Sequence, residues 1–330
     1  MLSLVRQNWF LLALATLFAV GFFVWRPLEP LAEAGWLRSI VVATAMFLMA
    51  LPLPGAEIIN ALRRPWATLL AVLVTFGVLP LIAWGLSPLL SESYALGLLV
   101  AAVTPCTMAS ATVWTRKAGG NDAAATVVTV VTNLICFLIT PAWLYVMTGQ
   151  QAGMSRGDFA DMVLKLLLIV VLPVIAGQLL RRSAPIAAWS TRRKTTLGIA
   201  SQVCILFIVL VGAIHTGKNL SVASESGGDT MFDLAMMVVV VLLVHITSFW
   251  IGLGLARVLG LPWGDQVAVA FAGSQKTLMV GMDSALQMGA SVLPMVTYHV
   301  GQLFIDTVLA DRLREGKGKG KEGEKGNGER

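Results

Sequence analysis

The chain has 330 residues, 57% of them hydrophobic and 13% charged, with a formal net charge of +6. A soluble domain carries about 25% charged residues, and here seven basic and four acidic residues crowd into Arg312–Arg330. The remainder is too small to solvate a globular surface, which excludes a soluble enzyme. The basic residues fall in short clusters between apolar runs, which excludes a nucleic-acid binder. The chain reads as an all-α polytopic membrane protein.

Ten runs have the length of a membrane-crossing helix, about 17–25 residues. The first, Trp9–Trp25, follows Arg6 as a signal peptide would. It ends in Phe22-Phe23-Val24-Trp25-Arg26-Pro27, which holds no small-residue cleavage site, so it counts as a span. Leu37–Leu53 and Ala67–Leu86 follow. The fourth, Tyr94–Trp114, is interrupted by Val103-Thr104-Pro105-Cys106-Thr107-Met108-Ala109-Ser110. The fifth, Ala123–Met147, carries a polar stripe of Thr129, Thr132 and Asn133. Beyond the loop Gly149–Asp158 come Met162–Leu180, Leu197–Ile214 and Leu234–Ala256, the last with a lone His245 expected to be a hydrogen-bonded packing residue. The ninth, Gln266–Gln287, is interrupted by Ala272-Gly273-Ser274-Gln275-Lys276-Thr277. The tenth, Val292–Ala310, puts His299, Gln302 and Asp306 on one face, with Asp306 read as interfacial. The runs are continuous rather than alternating, which excludes barrel strands. After them, residues 312–330 alternate Gly with charge and are expected to be a disordered cytoplasmic tail.

Cys106, Cys136 and Cys204 each lie in an apolar run without metal-ligand spacing and act as small hydrophobes. His215, His245 and His299 sit on different spans, and neither HExxH nor GxSxG occurs, so the chain is not read as an enzyme. With the N-terminus inside, the cytoplasmic segments hold 18 Lys and Arg and the outer loops 4. That bias places both termini in the cytoplasm of a cell (inner) membrane.

Ten spans divide at the loop Gly149–Asp158 into 1–149 and 150–311. Five is odd, so the second set is inverted relative to the first, a common transporter plan in which interrupted spans at matching positions mark a midplane site. Pro105 lacks an amide donor and is expected to free carbonyls around Ala101 and Ala102. Such groups must face protein or a watery cavity. The half-helix beyond each break offers N–H groups suited to an anion, and the freed carbonyls suit a cation. Lys276 sits about ten residues from either end of its span, too deep to snorkel, at a cost of about 2.5–3.5 kcal/mol. Lys165 is one turn inside its span and is expected to snorkel. Asp283, seven residues beyond Lys276, points roughly the same way if the chain is helical between them, and is a candidate counter-ion.

Several of these stretches look alike to those of a known family. Pro105-Cys106-Thr107-Met108-Ala109-Ser110, Gly119-Gly120-Asn121-Asp122-Ala123-Ala124-Ala125, Thr140-Pro141, Ser274-Gln275-Lys276-Thr277-Leu278 and Tyr298-His299-Val300-Gly301-Gln302, in this order, resemble the bile acid:sodium symporter family in its divergent symporter-like branch. The resemblance implies ten helices as two inverted five-helix repeats. It implies a core domain with crossed, broken fourth and ninth spans, and a panel domain of the first, second, sixth and seventh. It also implies a secondary transporter of a small organic anion by alternating access, working in the lipid bilayer with no obligate protein partner. The family's sodium ligands correspond to Ser110 (with Ala111), Thr129 and Thr75, and its shared glutamate falls on Met279. With that acid missing and Lys276 at the same crossing, the lysine ammonium is expected to replace a bound cation; if it deprotonates during the cycle the protein would couple to protons or run uncoupled. No cofactor is expected beyond Na+ or H+ as a coupling ion. The expected substrate and ion residues are Pro105, Thr107, Ser110, Thr129, Asn133, Ser274, Gln275, Lys276, Thr277, Asp283, His299 and Gln302. The alternative is a non-transporting membrane protein that senses a ligand or ion.

Overall fold

The computed structural model describes residues 9–53, 65–108, 110–148, 156–225 and 231–327. Arg6, Arg63 and Arg64, which count toward the charge bias, and most of the loop Gly149–Asp158 lie outside the described residues. Among the described residues the chain is helical, with no strands. In chain order the helices are α1 (Trp9–Phe23), α2 (Trp25–Glu33), α3 (Gly35–Ala50), α4 (Pro65–Leu89), α5 (Glu92–Val103), α6 (Ser110–Lys117) and α7 (Asp122–Thr148). There follow α8 (Arg156–Leu166 continuing through Leu172–Leu180), α9 (Ala184–Arg192), α10 (Lys194–Glu225), α11 (Met231–Val258), α12 (Trp263–Ser274), α13 (Leu278–Gln287) and α14 (Leu293–Asn327).

Five of these are long and apolar enough to cross a bilayer: Pro65–Leu89, Asp122–Thr148, Gly157–Leu180, Lys194–Lys218 and Met231–Val258. A sixth is added if α1 and α2, bent by 103°, form one span. Leu69, Leu81, Val203, Val239 and Phe304 point outward and are more than half exposed. A belt of this kind is tolerated against lipid and is a liability in water. The protein is therefore a multi-pass membrane protein.

Prolines shape the long helices. α4 and α8 each widen into one π turn, Val74–Val78 and Leu167–Val171, just ahead of Leu79-Pro80 and Leu172-Pro173. A proline cannot donate to the carbonyl a turn earlier and clashes with it, so the backbone loosens there. The Phe76 carbonyl, four residues before Pro80, instead accepts the indole N–H of Trp143 on α7.

α1, α3, α8 and α10 pack on one another. α4 to α7 pack with α11 to α14. α13 touches both sets, meeting α3 and α10 on one side and α5 and α14 on the other. One apolar cluster runs through the whole, from Met46, Val170 and Ile208 to Val100, Met279 and Met295. The last helix continues to Asn327, through a stretch expected to be a disordered tail. A packed span supplies the helical nucleus, so extension requires no new one. α9 lies in a connection that the apolar pattern leaves without a helix, and Arg181 ties it down through Ser190 Oγ (2.7 Å).

Where α5 meets the start of α14 the backbones nearly touch. A Cβ on Gly97 would stand 2.3 Å from the Ser291 carbonyl and 2.9 Å from Pro294 Cγ, whereas one on Gly85 would meet nothing within 4 Å. Gly97→Ala is expected to destabilise the protein by about 1–3 kcal/mol. Gly85→Ala, in open space, is expected to be neutral or slightly stabilising. Thermal unfolding of the two variants checks this; equal stabilities would refute the close approach.

Candidate functional site

Both interruptions read from the sequence are true breaks, and the structure brings them together. α5 ends at Val103, and Thr104 turns extended (φ −72°, ψ 156°), because a residue before proline is disfavoured in the α region. α12 ends at Ser274, and Gln275 and Thr277 are likewise extended. The segments meet directly: the Thr277 amide donates to the Pro105 carbonyl at 3.0 Å.

The freed carbonyls include those expected and run further. Ala101 accepts the Thr104 amide and hydroxyl in place of the missing Pro105 donor, and Ala102 loses the Cys106 amide to Thr132. Val103, Thr104, Pro105 and Cys106 are freed as well, since the chain leaves the helix outright instead of kinking. Each of these four finds a donor on another element. Val103 accepts Thr140 Oγ1 (2.7 Å), and Cys106 accepts Asn133 Nδ2 (2.8 Å). The Cys106 amide reaches Thr132 Oγ1 (3.3 Å), so two members of the fifth-span stripe hold the first break. Thr129 Oγ1 instead bonds back to Thr126 O.

Lys276 is fully buried. Its ammonium donates to two main-chain carbonyls, Thr75 and Thr104, at 2.8 Å each. It also lies 5.5 Å from the centre of the Phe76 ring, a cation–π distance. Thr75 and Phe76 belong to the π turn of α4, so that loosening and the first break each supply one oxygen. Charge-assisted hydrogen bonds are worth about 1.5–3 kcal/mol each. Two of them offset the insertion cost of about 2.5–3.5 kcal/mol. Gln302 clamps the Lys276 backbone, accepting its amide (2.9 Å) and donating to its carbonyl (3.0 Å). His299 Nδ1 faces Gln302 Nε2 at 3.0 Å.

Around this centre, Ser110 Oγ donates to Gln275 Oε1 (2.8 Å), and Gln275 Nε2 donates to Asp306. Thr75 Oγ1 is spent on the Ala272 and Gly273 carbonyls. Ser274 Oγ bonds back to Ala270 O. Thr107 is buried beside Cys106. The expected sodium hydroxyls of Ser110, Thr129 and Thr75 thus each serve a separate internal bond, and the fully buried ammonium of Lys276 occupies the crossing beside Thr75. Met279, at the glutamate position, is packed in the apolar core. Among the described residues no group of three or more His, Cys, Asp or Glu is placed to hold a metal.

Three expectations about charged residues are corrected. Asp283 is not the counter-ion of Lys276. The chain unwinds over Gln275–Thr277, so the helical phase between the two is lost. Asp283 instead receives Arg38 Nε at 2.6 Å and Lys165 Nζ at 2.7 Å. Lys165 therefore turns inward to a carboxylate rather than snorkelling. The third correction concerns Asp306, which is fully buried rather than interfacial and meets His245 Nε2 at 2.9 Å. Sequence reading missed both pairings. The available signal was that an ionisable residue in a span needs a partner, so His245, Asp306 and Lys165 should have been matched.

Residues 8–315 match the SBF-like CPA transporter family. The uncharacterized protein PA2026 of Pseudomonas aeruginosa is 30% identical over 84% of each chain. Sodium/bile acid cotransporter 7 of Xenopus tropicalis is 24% identical over 95% of this chain and 94% of its own length, and the same protein of Rattus norvegicus is 24% identical over the same shares.

Asp283 holds two cations from α3 and α8, and its own side chain is 2% exposed. Removing one partner of a buried ion pair costs about 3–5 kcal/mol. Asp283→Asn is expected to lose stability on that scale. Arg116→Gln, which breaks an exposed pair with Asp122, is expected to change it by under about 1 kcal/mol. Denaturant or thermal unfolding compares them; similar losses in both would overturn the buried triad.

Proposed function

The chain belongs to the SBF-like CPA transporter family, so it is a membrane transporter and not an enzyme, and from that premise we propose that it carries an organic anion by alternating access at the crossing of its two broken segments. α1, α3, α4, α5 with α6, and α7 form one set of five spans; α8, α10, α11, α12 with α13, and α14 form an inverted second set. On this reading residues 1–149 and 150–311 are the two repeats. α1, α3, α8 and α10 are the panel, the rest is the core, and both termini face the cytoplasm of the inner membrane. The 18 to 4 distribution of basic residues and the matching places of the two breaks support it.

The observation that carries the proposal is the Lys276 ammonium on the Thr75 and Thr104 carbonyls. It takes the place of a cation at broken helix ends and, being tethered to the chain, does not leave with the substrate. The first turns of α6 and α13 add N–H groups without intrahelical partners. A fixed positive charge flanked by two such ends favours a carboxylate or sulfonate over a cation. The relatives named sodium/bile acid cotransporters make a bile acid the first probe. Sodium is not favoured as the coupling ion on this reading because the acid position is Met279 and the Lys276 ammonium stands beside Thr75.

The test is cholate uptake into vesicles holding the purified protein, with sodium replaced by choline. Uptake is expected to be undiminished, and abolished uptake would overturn the fixed-cation reading. Lys276→Gln is expected to lower uptake at least tenfold. A variant with unchanged flux but altered cholate binding in thermal shift would favour a sensor over a carrier.

A further inference from the structure

While Lys276 stays an ammonium on its two carbonyls, it explains anion binding but supplies no coupling. A second buried group at the crossing has the opposite property. His245 on α11 and Asp306 on α14 are both completely buried, 61 residues apart in sequence. His245 Nε2 is 2.9 Å from Asp306 Oδ1, and Nδ1 is 3.3 Å from the carbonyl of Ser274, the last residue of α12. Asp306 Oδ2 accepts from Gln275, whose Oε1 accepts from Ser110 at the head of α6. The Tyr298 hydroxyl donates to the same Ser274 carbonyl at 2.6 Å, and its ring stands edge-on to the imidazole at 5.5 Å. The pair is therefore wired to both breaks.

Proton bookkeeping follows from the atoms. A carbonyl only accepts, and so does an ionised carboxylate. A neutral imidazole has one N–H, so with Asp306 ionised it fills one of these two contacts and turns a lone pair to an oxygen at the other. One added proton, on the ring, fills both. With Lys276 as ammonium, Asp306 ionised and the ring neutral, the charges at the crossing sum to zero. Protonating the ring leaves one positive charge, which one monovalent anion neutralises.

We propose that the His245–Asp306 pair is the binding site of the coupling ion, a proton, taken up together with the anion. The idea rests on the reading of the crossing as the anion site. The proton adds to Nδ1 of the Nε2–H tautomer and leaves from it, with no bond to the anion made or broken. The other titratable groups near the ring are Lys276 and Cys106 on the broken segments and Tyr298 and His299 on α14; His299 is bonded to Gln302, and α4 carries no titratable side chain. On its own helix Asp233 and Arg257 lie twelve residues away in either direction, more than three turns.

Two measurements test the proposal. The protein has three histidines, so nitrogen NMR of 15N-histidine-labelled protein is assignable by variants. The ring signal absent from His245→Gln is expected to show the ring gaining one proton as the pH is lowered across the range in which the protein stays folded. In Asp306→Asn that response is expected to change. A ring locked in one form across that range in the unaltered protein overturns the proposal, whatever becomes of the variants. Calorimetry of cholate binding in two buffers of different ionisation heat is expected to show close to one proton taken up per cholate, and none in His245→Gln. Cholate binding without proton uptake overturns the coupling and leaves the anion reading standing. No cholate binding at all removes that anion reading, and the histidine titration alone then decides for or against the proton site.

Discussion

A main-chain carbonyl released from a helix inside a bilayer has no water to accept from, and each such group left alone costs several kcal/mol. This protein releases at least six in one place, at Thr75, Phe76, Val103, Thr104, Pro105 and Cys106, and meets each with a donor from another element. Trp143, Thr140 and Asn133 all come from α7. That long unbroken helix is the splint for both the π turn and the first break. The remaining oxygens fall to Lys276 and to the Thr277 amide, so the second break is itself the partner of the first. Neither broken span is satisfied without the other, which explains why the crossing lies at the centre of the packing.

A tethered ammonium differs from a dissolved cation in one respect that matters for transport. It binds without any loss of translational freedom, so the crossing holds its shape when no ion is present. In exchange, the concentration gradient of that ion can do no work on the carrier. On the proposed reading, anion attraction and energy coupling are carried by different groups, the first by Lys276 and the second by the His245–Asp306 pair, which meets the chain at Ser274 and Gln275.

Much of this was legible in the chain. The ten apolar runs, the two interruptions and the lysine too deep to snorkel follow from hydropathy and from the chemistry of proline. The pairings were not legible, for a physical reason. Helical periodicity predicts neighbours only while the helix continues, and the unwinding at Gln275–Thr277 cancels the phase that seemed to set Asp283 beside Lys276. Asp283 found Arg38, 245 residues away, and Lys165 instead. The freed carbonyls run further along the chain than a kink at Pro105 predicts, for a related reason. A kinked helix loses bonds behind the proline, whereas a helix that stops loses those at its end.

The Asp283 triad has a further consequence for motion. α13, like α7, touches both helix sets, and Asp283 fastens it to α3 and α8 through charges that are 13% and 22% exposed on the cationic side. Sliding one set past the other separates three charges at once, in a medium where they cannot be left bare. In alternating access such a movement requires those charges to find water as they part. The partly exposed Arg38 and Lys165 are placed to be hydrated first, while the buried carboxylate is the last to be released. Asp283 thus fastens α13 to α3 and α8 by a contact remote from the crossing, so on the proposed mechanism parting these charges and rearrangement at Lys276 are separable steps.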